Sequence, residues 1–164
     1  MTRNLAIRPL TPAAFVLFGD VLDIEGQPDK LINQGQCGRY HDRAHVDFGE
    51  GGRAGISLFD AQPRALPYTL TMMERHPDGS QAFIPMHTEP FLVIVAEDAG
   101  NRPDTPRAFL TNGAQGVNFH RNIWHGVLTP LAQPGRFAVI DRIGDTPNLQ
   151  EYWFDTPWQV QHRI

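Results

Sequence analysis

The sequence predicts a mostly-β domain, a sandwich or a barrel, with one short helix near the N-terminus. Three observations predict it. Short apolar segments recur along the whole chain, 15 glycines and 14 prolines interrupt its 164 residues, and only one segment has a helical start signal. Many short strands bounded by turn residues are typical of sandwiches and barrels. A chain of this length is expected to form one domain, residues 1–164.

The N-terminal segment supplies the predicted helix. Residues 5–10 are predicted to form a strand. Thr11 is then a suitable N-cap and Pro12 a suitable first helical residue, with Gly19 as the stop about two turns later. Residues 21–24 follow as a candidate strand, so the helix is expected to connect two short strands.

Residues 69–85 are the central prediction, because they are expected to form two strands joined by a tight turn. The turn is Pro-Asp-Gly at residues 77–79, which combines a fixed φ, an Asp turn and a residue that accepts positive φ. Strand side chains alternate between faces, so Glu74 and His76 share one side, and Gln81 lies on the returning strand. We expect these three side chains at the mouth of an apolar pocket.

The rest of the chain is predicted to be strands and loops. Further strands are expected at residues 54–60, 89–96, 107–110, 117–120, 124–128 and 136–142. Residues 91–95 are continuously apolar, which predicts a strand buried on both faces. Asn112-Gly113 is a strong hairpin dipeptide and predicts that the strands on either side of it pair. Residues 33–42 are predicted to be a polar loop.

Composition and charge exclude several classes of protein. A net charge of -4 and a pI near 5.9 argue against nucleic-acid or membrane-surface partners. The longest clean apolar run, residues 91–96, is too short to span a bilayer. Cys37 is the only cysteine and the N-terminus has no signal-peptide core, so a cytoplasmic location is expected. Lys30 is the only lysine, beside a turn-like segment, which disfavours Schiff-base chemistry.

Two separated segments resemble the paired motifs of cupins. Glu74, His76 and Gln81 occupy the first motif, with Glu and Gln where typical cupins have His and Glu. Residues 120–125 stand where the second motif places a turn followed by a single histidine, here His125. Both cupin motifs project into one small barrel. The resemblance therefore implies a cupin-like (RmlC-like jelly-roll) β-barrel in which these four side chains converge.

A resemblance to one family covers most of the chain, from about residue 9 to 142. The segments that carry it are PLTPAAFVLFGDV, GRYHDRA, MERHPDGSQAFIPM, PFLVIVA, RAFLTNGAQGVNFHRNIWHGVL and FAVIDR. In this order and spacing they resemble the ureidoglycolate lyase family, also called ureidoglycolate hydrolases. The resemblance implies a lyase that converts (S)-ureidoglycolate to glyoxylate and urea in allantoin (purine) catabolism. It also implies a homodimer and a divalent metal, with nickel as the metal associated with the family.

The expected chemistry assigns roles to the motif residues. Cleavage of ureidoglycolate needs a base, an acid, a cation for the carboxylate and a group that holds the developing alkoxide, and it needs no organic cofactor. The expected catalytic residues are Glu74, His76, His125, Tyr40 and His41. The expected substrate-binding residues are Arg39, Gln81, Asn118, His120 and Arg121. The expected metal ligands are Glu74, His76, Gln81 and His125.

Alternatives stay open at this point. The first is an amidohydrolase that releases ammonia and CO2 from the same substrate, and the second is a non-catalytic cupin that senses a small carboxylate. Residues 39–42 also fit a loop clamp or a dimer interface. Trp124 is expected to serve packing, and Asp141 and Arg142 are expected to form a structural pair. The remaining histidines are predicted to be surface residues; they are His45, His87 and His162.

Overall fold

The computed structural model describes residues 3–162, and the prediction of a mostly-β protein with one short helix is confirmed. The elements are, in chain order, β1 (Arg3–Pro9), α1 (Pro12–Phe15), β2 (Gly19–Leu22), β3 (Lys30–Ile32), β4 (Cys37–Arg39), β5 (Arg53–Asp60), β6 (Tyr68–Arg75), β7 (Gln81–Pro85), β8 (Phe91–Ala96), β9 (Arg107–Leu110), β10 (Gly116–Phe119), β11 (Trp124–His125), β12 (Thr129–Pro130), β13 (Arg136–Ile143) and β14 (Gln150–Gln161). No helix in this range is long and apolar enough to cross a membrane.

Six strands close into a ring. Their hydrogen-bonded order is β11, β6, β14, β1, β9 and β8, and β8 pairs again with β11. Closure pairs both edges of every strand in the ring, which removes the exposed edges of an open sheet. Five further strands form a second sheet in the order β2, β10, β7, β13 and β5, while β3 and β4 pair separately. The closed barrel is consistent with the predicted cupin-like fold.

The strand β8 lies between two hydrophobic cores. Phe91, Val93 and Val95 pack in the core that also contains apolar residues of the five-stranded sheet, such as Phe83 and Val139. The alternate residues of β8 pack in a second core with residues of the ring; they are Leu92, Ile94 and Ala96. All six residues of the strand are buried. The predicted strand with two buried faces is therefore confirmed.

Both predicted hairpins are wrong, although their strands and turns exist. The strands β6 and β7 lie in different sheets, and so do β9 and β10 on either side of Asn112-Gly113. Turn residues reverse the chain, but they do not choose the pairing partner; here the chain crosses between two packed layers. Gly113 has a φ of +89°, and a Cβ there would lie 2.3 Å from the carbonyl oxygen of Thr88. This crossing therefore requires glycine.

The N-terminal helix is shorter than predicted. Thr11 is the N-cap as expected, because its side chain accepts a hydrogen bond from the backbone nitrogen of Ala14 at 3.2 Å. The helix ends after one turn, and Gly19 begins β2 instead of stopping the helix. A Cβ at Gly19 would lie 1.8 Å from the carbonyl oxygen of Asn118, so the glycine permits close approach to β10. Its role is sheet packing, not helix capping.

Three further expectations need correction. The polar loop at residues 33–42 contains β4, which pairs with β3. Asp141 and Arg142 do not form a pair with each other: Asp141 accepts from Gln81, and Arg142 donates to the backbone carbonyl of Phe48. His87 is half-buried with its ring edge-on to Phe137 at 4.8 Å, whereas His45 and His162 are exposed as predicted.

The aromatic tail forms the longest strand of the described chain. Sequence reasoning assigned no strand there, but β14 runs over twelve residues and joins β1 to β6 in the ring. A register shift between Trp153 and Trp158 interrupts its pairing with β6. The shift accommodates Pro157, which has no backbone N–H for the ladder.

Candidate active site

The candidate site lies where the chain leaves the six-strand ring and enters the five-stranded sheet. Glu74 is near the end of β6, and His76 follows it at the start of the turn. His125 on β11 is the cross-strand partner of Glu74. One ligand atom from each of these three side chains lies within 4.8 Å of the other two. The structure therefore brings together three of the four residues that the two motifs supplied.

His125 is held as a neutral ring with one free nitrogen. It is only 2% exposed, and its ring stacks on Phe119 with a centroid distance of 4.4 Å. Its Nδ1 lies 3.0 Å from the carbonyl oxygen of Gly126 and donates to it, while Nε2 is buried without a hydrogen-bond partner among residues 3–162. Burial, with a smaller contribution from His76, lowers the pKa of His125 from 6.5 to about 3. The free Nε2 lone pair is thus available to a cation.

His76 is anchored in a similar way. Its Nδ1 lies 2.7 Å from the carbonyl oxygen of Asn148, and its Nε2 lies 3.1 Å from Oε1 of Gln81. The rings of His76 and His125 are 5.2 Å apart. Because a backbone carbonyl accepts from Nδ1 of each histidine, both rings direct Nε2 toward the same space.

Gln81 joins the cluster from the second sheet. Its side chain is buried, and its Nε2 donates to Oδ2 of Asp141 at 3.1 Å. Sequence reasoning missed this role of Asp141. A signal was present, because strand alternation places Asp141 on the same side of β13 as the core residues Phe137 and Val139. We call Glu74, His76, Gln81 and His125 the inner cluster.

Glu74 is a half-buried carboxylate with a raised pKa. Burial is the main cause, the nearby His76 opposes it, and Glu151 on β14 adds to the rise. Glu151 is the cross-strand partner of Glu74, so two carboxylates face each other there. A raised pKa makes a carboxylate a stronger base near neutral pH.

The inner cluster fits a divalent metal. Two imidazoles with Nδ1 anchored on backbone carbonyls and one carboxylate are ligands that nickel and zinc accept. The buried, unpartnered Nε2 of His125 is otherwise unexplained, because buried polar atoms in proteins usually have a partner. The geometry is therefore compatible with a divalent metal.

Asn118 and His120 belong to a different group of side chains. Nδ2 of Asn118 and Nε2 of His120 donate to Oδ2 of Asp20, at 2.9 and 3.0 Å. The backbone nitrogen of His45 donates to the same oxygen at 2.9 Å. Asn118 is the neighbour of Phe119, which pairs with Gln81, so alternation places Asn118 on the opposite face of the sheet. We call Asp20, His45, Asn118 and His120 the outer cluster.

Asp20 is stabilised as a carboxylate. Burial raises its pKa, but hydrogen bonds from Asn118, from the backbone of His45 and from His120 outweigh that effect, and the net pKa is lowered. Sequence reasoning gave Asp20 no role and treated His45 as an isolated surface residue. Only the pairing of β2 with β10, which places Asp20 opposite Asn118, reveals the outer cluster.

Arg121 lies beside the turn that carries His76. Its Nε donates to the carbonyl oxygen of Pro77, and its guanidinium forms long ion pairs with Asp47 at 3.7 Å and Asp78 at 3.8 Å. The next residue, Asn122, donates its backbone N–H to the carbonyl oxygen of His76 at 2.9 Å. Arg121 is therefore an arginine near the inner cluster whose existing ion pairs are weak.

The segment with Arg39, Tyr40 and His41 is not joined to the inner cluster by any described contact. The hydroxyl of Tyr40 donates to the carbonyl oxygen of Gly26 at 3.0 Å, and the backbone nitrogen of His41 donates to Asp29 at 2.9 Å. Arg39 ends β4 and is exposed. Their expected roles in binding and proton transfer stay predictions.

Trp124 has the packing role that was expected of it. Its side chain is 2% exposed, and its Nε1 donates to Oδ1 of Asp98 at 2.9 Å. The guanidinium of Arg75 lies 4.4 Å from the centre of its ring. Trp124 thus closes the ring core on the side of β11 that faces away from the inner cluster.

A closed β-ring packed on a second sheet, with a carboxylate, two imidazoles and an amide meeting between them, defines a cupin-like protein with a candidate metal centre. The family model for ureidoglycolate lyase matches residues 2–161, and the chain belongs to this family. The ureidoglycolate lyase of Rhodobacter capsulatus is 60% identical over 158 residues, which cover 96% of this chain and 98% of that protein.

Other relatives show the same relationship. A ureidoglycolate lyase of Brucella melitensis is 54% identical over 152 residues, covering 92% of this chain and 90% of that protein. A ureidoglycolate lyase of Rhizobium etli is 48% identical over 162 residues, covering 98% of both. The similarity therefore extends over the whole fold, including both segments that form the inner cluster.

Proposed function

We propose that this protein is a ureidoglycolate lyase that cleaves (S)-ureidoglycolate to glyoxylate and urea in allantoin (purine) catabolism. Its family and the names of relatives that are 48–60% identical support the reaction. The observation that carries the assignment to a site is the convergence of Glu74, His76 and His125 within 4.8 Å.

The reaction moves one proton between two atoms on one carbon. That carbon bears a carboxylate, a hydroxyl group and a ureido nitrogen. Loss of the hydroxyl proton lets the oxygen form the carbonyl of glyoxylate as the carbon–nitrogen bond breaks. The nitrogen takes up a proton and leaves as urea. A single group that accepts the proton from oxygen and returns it to nitrogen is sufficient.

Glu74 is our choice for that group. In the metal-free protein burial raises the pKa of Glu74, so this carboxylate accepts a proton more readily than an exposed glutamate does. His125 is a poor proton acceptor by comparison, because its pKa is about 3. The two oxygens of Glu74 allow one to face the proton while the other contacts a cation.

The inner cluster also has the groups to hold a divalent metal, for which we propose nickel. Glu74, His76 and His125 would hold it, with the carbonyl oxygen of Gln81 beside His76. A bound divalent cation supplies positive charge that lowers the pKa of a neighbouring hydroxyl and neutralises a carboxylate. We propose Arg121 as the residue that pairs with the substrate carboxylate through its planar guanidinium.

We also propose that the protein is a cytoplasmic homodimer. The outward face of the five-stranded sheet exposes Ile56, Leu58 and Ile84, and Leu58 and Ile84 lie in one row across β13. Exposed apolar groups in one row favour a partner surface. The outer edge of β5 has no strand partner in the described chain. Sedimentation equilibrium with Leu58→Arg tests this: the variant should be monomeric, and a monomeric wild type would contradict the proposal.

A urea-release assay with the metal content measured in the same sample tests the proposed reaction. Racemic ureidoglycolate should give urea and glyoxylate in equal amounts from one enantiomer. Ammonia and CO2 without urea would establish the amidohydrolase alternative, and binding of glyoxylate without turnover would establish the sensor. Turnover that is unchanged after complete removal of metal would reject a catalytic metal.

A further inference from the structure

Asp141 contacts only one residue of the inner cluster, Gln81, by a side-chain hydrogen bond. It lies on β13 as the cross-strand partner of Gln81 on β7, and its Oδ2 accepts from Gln81 Nε2 at 3.1 Å. Among the described residues its carboxylate has no ion pair and no other side-chain hydrogen bond. Gln81 is only 6% exposed, so water does not readily replace this partner.

The two ends of the Gln81 amide are chemically different. One end is an NH2 group that only donates, and the other is an oxygen that only accepts. An ionised carboxylate accepts only, so Asp141 selects the NH2 end. Oε1 must then face the opposite way, where it lies 3.1 Å from Nε2 of His76. A half-turn of the amide would place two N–H donors there and an oxygen against the carboxylate of Asp141.

We propose that Asp141 is a positioning residue that fixes the amide of Gln81 so that its carbonyl oxygen completes the metal-binding face of the inner cluster. An oxygen at this position attracts a cation, and an NH2 group repels it. Asp141 thus sets the sign of the partial charge that Gln81 presents beside His76. The inference rests on the metal site of the proposed function, but not on the identity of the reaction.

A double-mutant cycle on metal binding tests this role. Ni²⁺ alone is titrated calorimetrically into metal-free wild type, Asp141→Ala, Gln81→Glu and the double variant, without substrate. A carboxylate at position 81 has oxygen at both ends, so its orientation no longer depends on Asp141. We expect Asp141→Ala to weaken Ni²⁺ binding about 10- to 100-fold in the wild-type background, as loss of second-sphere partners typically does, and not to weaken it in the Gln81→Glu background.

Asp141→Asn is the matched control, because it keeps the size of the side chain and one accepting oxygen. It also offers an N–H donor, so both orientations of Gln81 become available, and we expect a smaller loss than with alanine. Thermal unfolding of the metal-free variants verifies that each is folded. If Asp141→Ala does not fold, the same cycle with Asp141→Asn carries the test.

Two results would overturn the inference. Equal loss of Ni²⁺ affinity in both backgrounds would mean that Asp141 acts through its charge or through stability, not through the amide. Failure of the wild type to bind Ni²⁺ would remove the site itself. Lyase activity is measured separately. If the wild type is inactive but the cycle gives the expected Ni²⁺ affinities, the inference stands and the proposed reaction fails. If the wild type is active but Asp141→Ala loses Ni²⁺ affinity equally in both backgrounds, only the inference fails.

Discussion

The inner and outer clusters contain the same kinds of side chain in opposite environments. Each has one carboxylate, one amide and two histidines, and the two amides, Gln81 and Asn118, lie on opposite faces of the five-stranded sheet. In the inner cluster Nε2 of His125 has no described partner, and the pKa of Glu74 is raised by burial. In the outer cluster Asp20 accepts three hydrogen bonds, and its pKa is lowered.

Each cluster also contains one buried atom without a described partner, Nε2 of His125 and Oδ1 of Asn118, so the contrast lies in the two carboxylates. It indicates that the hydrogen-bond partners of a carboxylate, not its residue type, separate a reactive site from a structural one. A carboxylate that is satisfied by three donors is stabilised in its charged form and gains little from a further ligand. A carboxylate that is buried beside an unpartnered imidazole keeps its affinity for a proton or a cation. The inner cluster is therefore suited to chemistry.

The outer cluster is suited to holding a segment of chain. Asp20 and Asn118 bind the backbone N–H and the carbonyl oxygen of His45. Two residues further on, Asp47 and Ser80 exchange hydrogen bonds through their backbone and side-chain groups. The segment from His45 to Asp47 is thereby attached to the outer face of the five-stranded sheet.

The largest effect is expected from replacing Glu74, the carboxylate of the inner cluster. The comparison variant replaces Asp20, the carboxylate of the outer cluster. Glu74→Gln should lower kcat/KM for ureidoglycolate about 10³-fold, because the amide cannot accept the hydroxyl proton. Asp20→Asn should change kcat/KM less than about tenfold, since its contacts stabilise structure. Urea release by both purified variants measures the contrast.

The stability of the same two variants sharpens this comparison. Glu74→Gln should be at least as stable as wild type, because ionised Glu74 is destabilised by burial in the folded state. Circular dichroism melting curves verify the fold of both variants. Near-normal activity of Glu74→Gln, or a loss in Asp20→Asn as large as that expected for Glu74→Gln, would reverse the assignment of the two clusters.

The next effect is the acid sensitivity that His125 confers on the metal-free protein. In the folded state its pKa is about 3, and in the unfolded chain it is near 6.5. Between these values the unfolded state binds more protons, so the free energy of unfolding falls as the pH falls below 6.5. At pH 4.5 the loss should be about 2–3 kcal/mol relative to pH 7. Urea unfolding at several pH values measures it.

The control for this effect is His125→Asn, which has no titrating ring and should lose clearly less stability over the same pH range. Asp20 titrates at a lower pH than this range. Its folded pKa is lowered, so its contribution is present above its unfolded value of about 3.8 and is lost as the pH falls through the folded value. An equal loss of stability between pH 7 and 4.5 in His125→Asn would mean that His125 is not the responsible group.

A smaller effect is expected from removing the acceptor of the outer cluster. Asp20→Ala leaves the side-chain N–H groups of Asn118 without one of their acceptors and frees the backbone N–H of His45. Loss of such bonds should lower the free energy of unfolding by about 1–3 kcal/mol. Amide hydrogen exchange should increase in residues 45–47 more than in β8. Unchanged exchange in this segment would mean that the outer cluster does not hold it.

The contrast between the clusters also explains why one of them was predictable from the sequence and the other was not. The inner cluster was predictable because Glu74, His76 and Gln81 lie within eight residues, and a motif resemblance linked them to His125. The outer cluster was not predictable, because Asp20 and Asn118 are 98 residues apart and meet only through the pairing of β2 with β10. Local patterns contain no information on that register.

The same limit applies to the fold. Short strands, the Thr11 N-cap and the doubly buried β8 follow from alternation, capping and apolar runs, which are local. The two hairpin predictions failed because turn residues fix where the chain reverses, whereas the packing of two layers decides which strands pair. The strand β14 contains Pro157, which lacks the N–H that a sheet ladder uses, so local patterns do not predict it; a register shift in the sheet accommodates the proline.

The smallest effect concerns Arg121, which lies between the two regions. Its guanidinium is near Asp47 of the outer segment and near Asp78 of the turn that carries His76. If Arg121 binds the substrate carboxylate, Arg121→Met should raise KM about fivefold with a smaller change in kcat, because one exposed ion pair contributes roughly 1 kcal/mol. The KM of Arg121→Lys should lie between those of the wild type and Arg121→Met, since lysine keeps the charge but lacks the planar fork. A purely structural Arg121 would instead lower the melting temperature and leave KM unchanged, and steady-state kinetics with melting curves on the three proteins separate these outcomes.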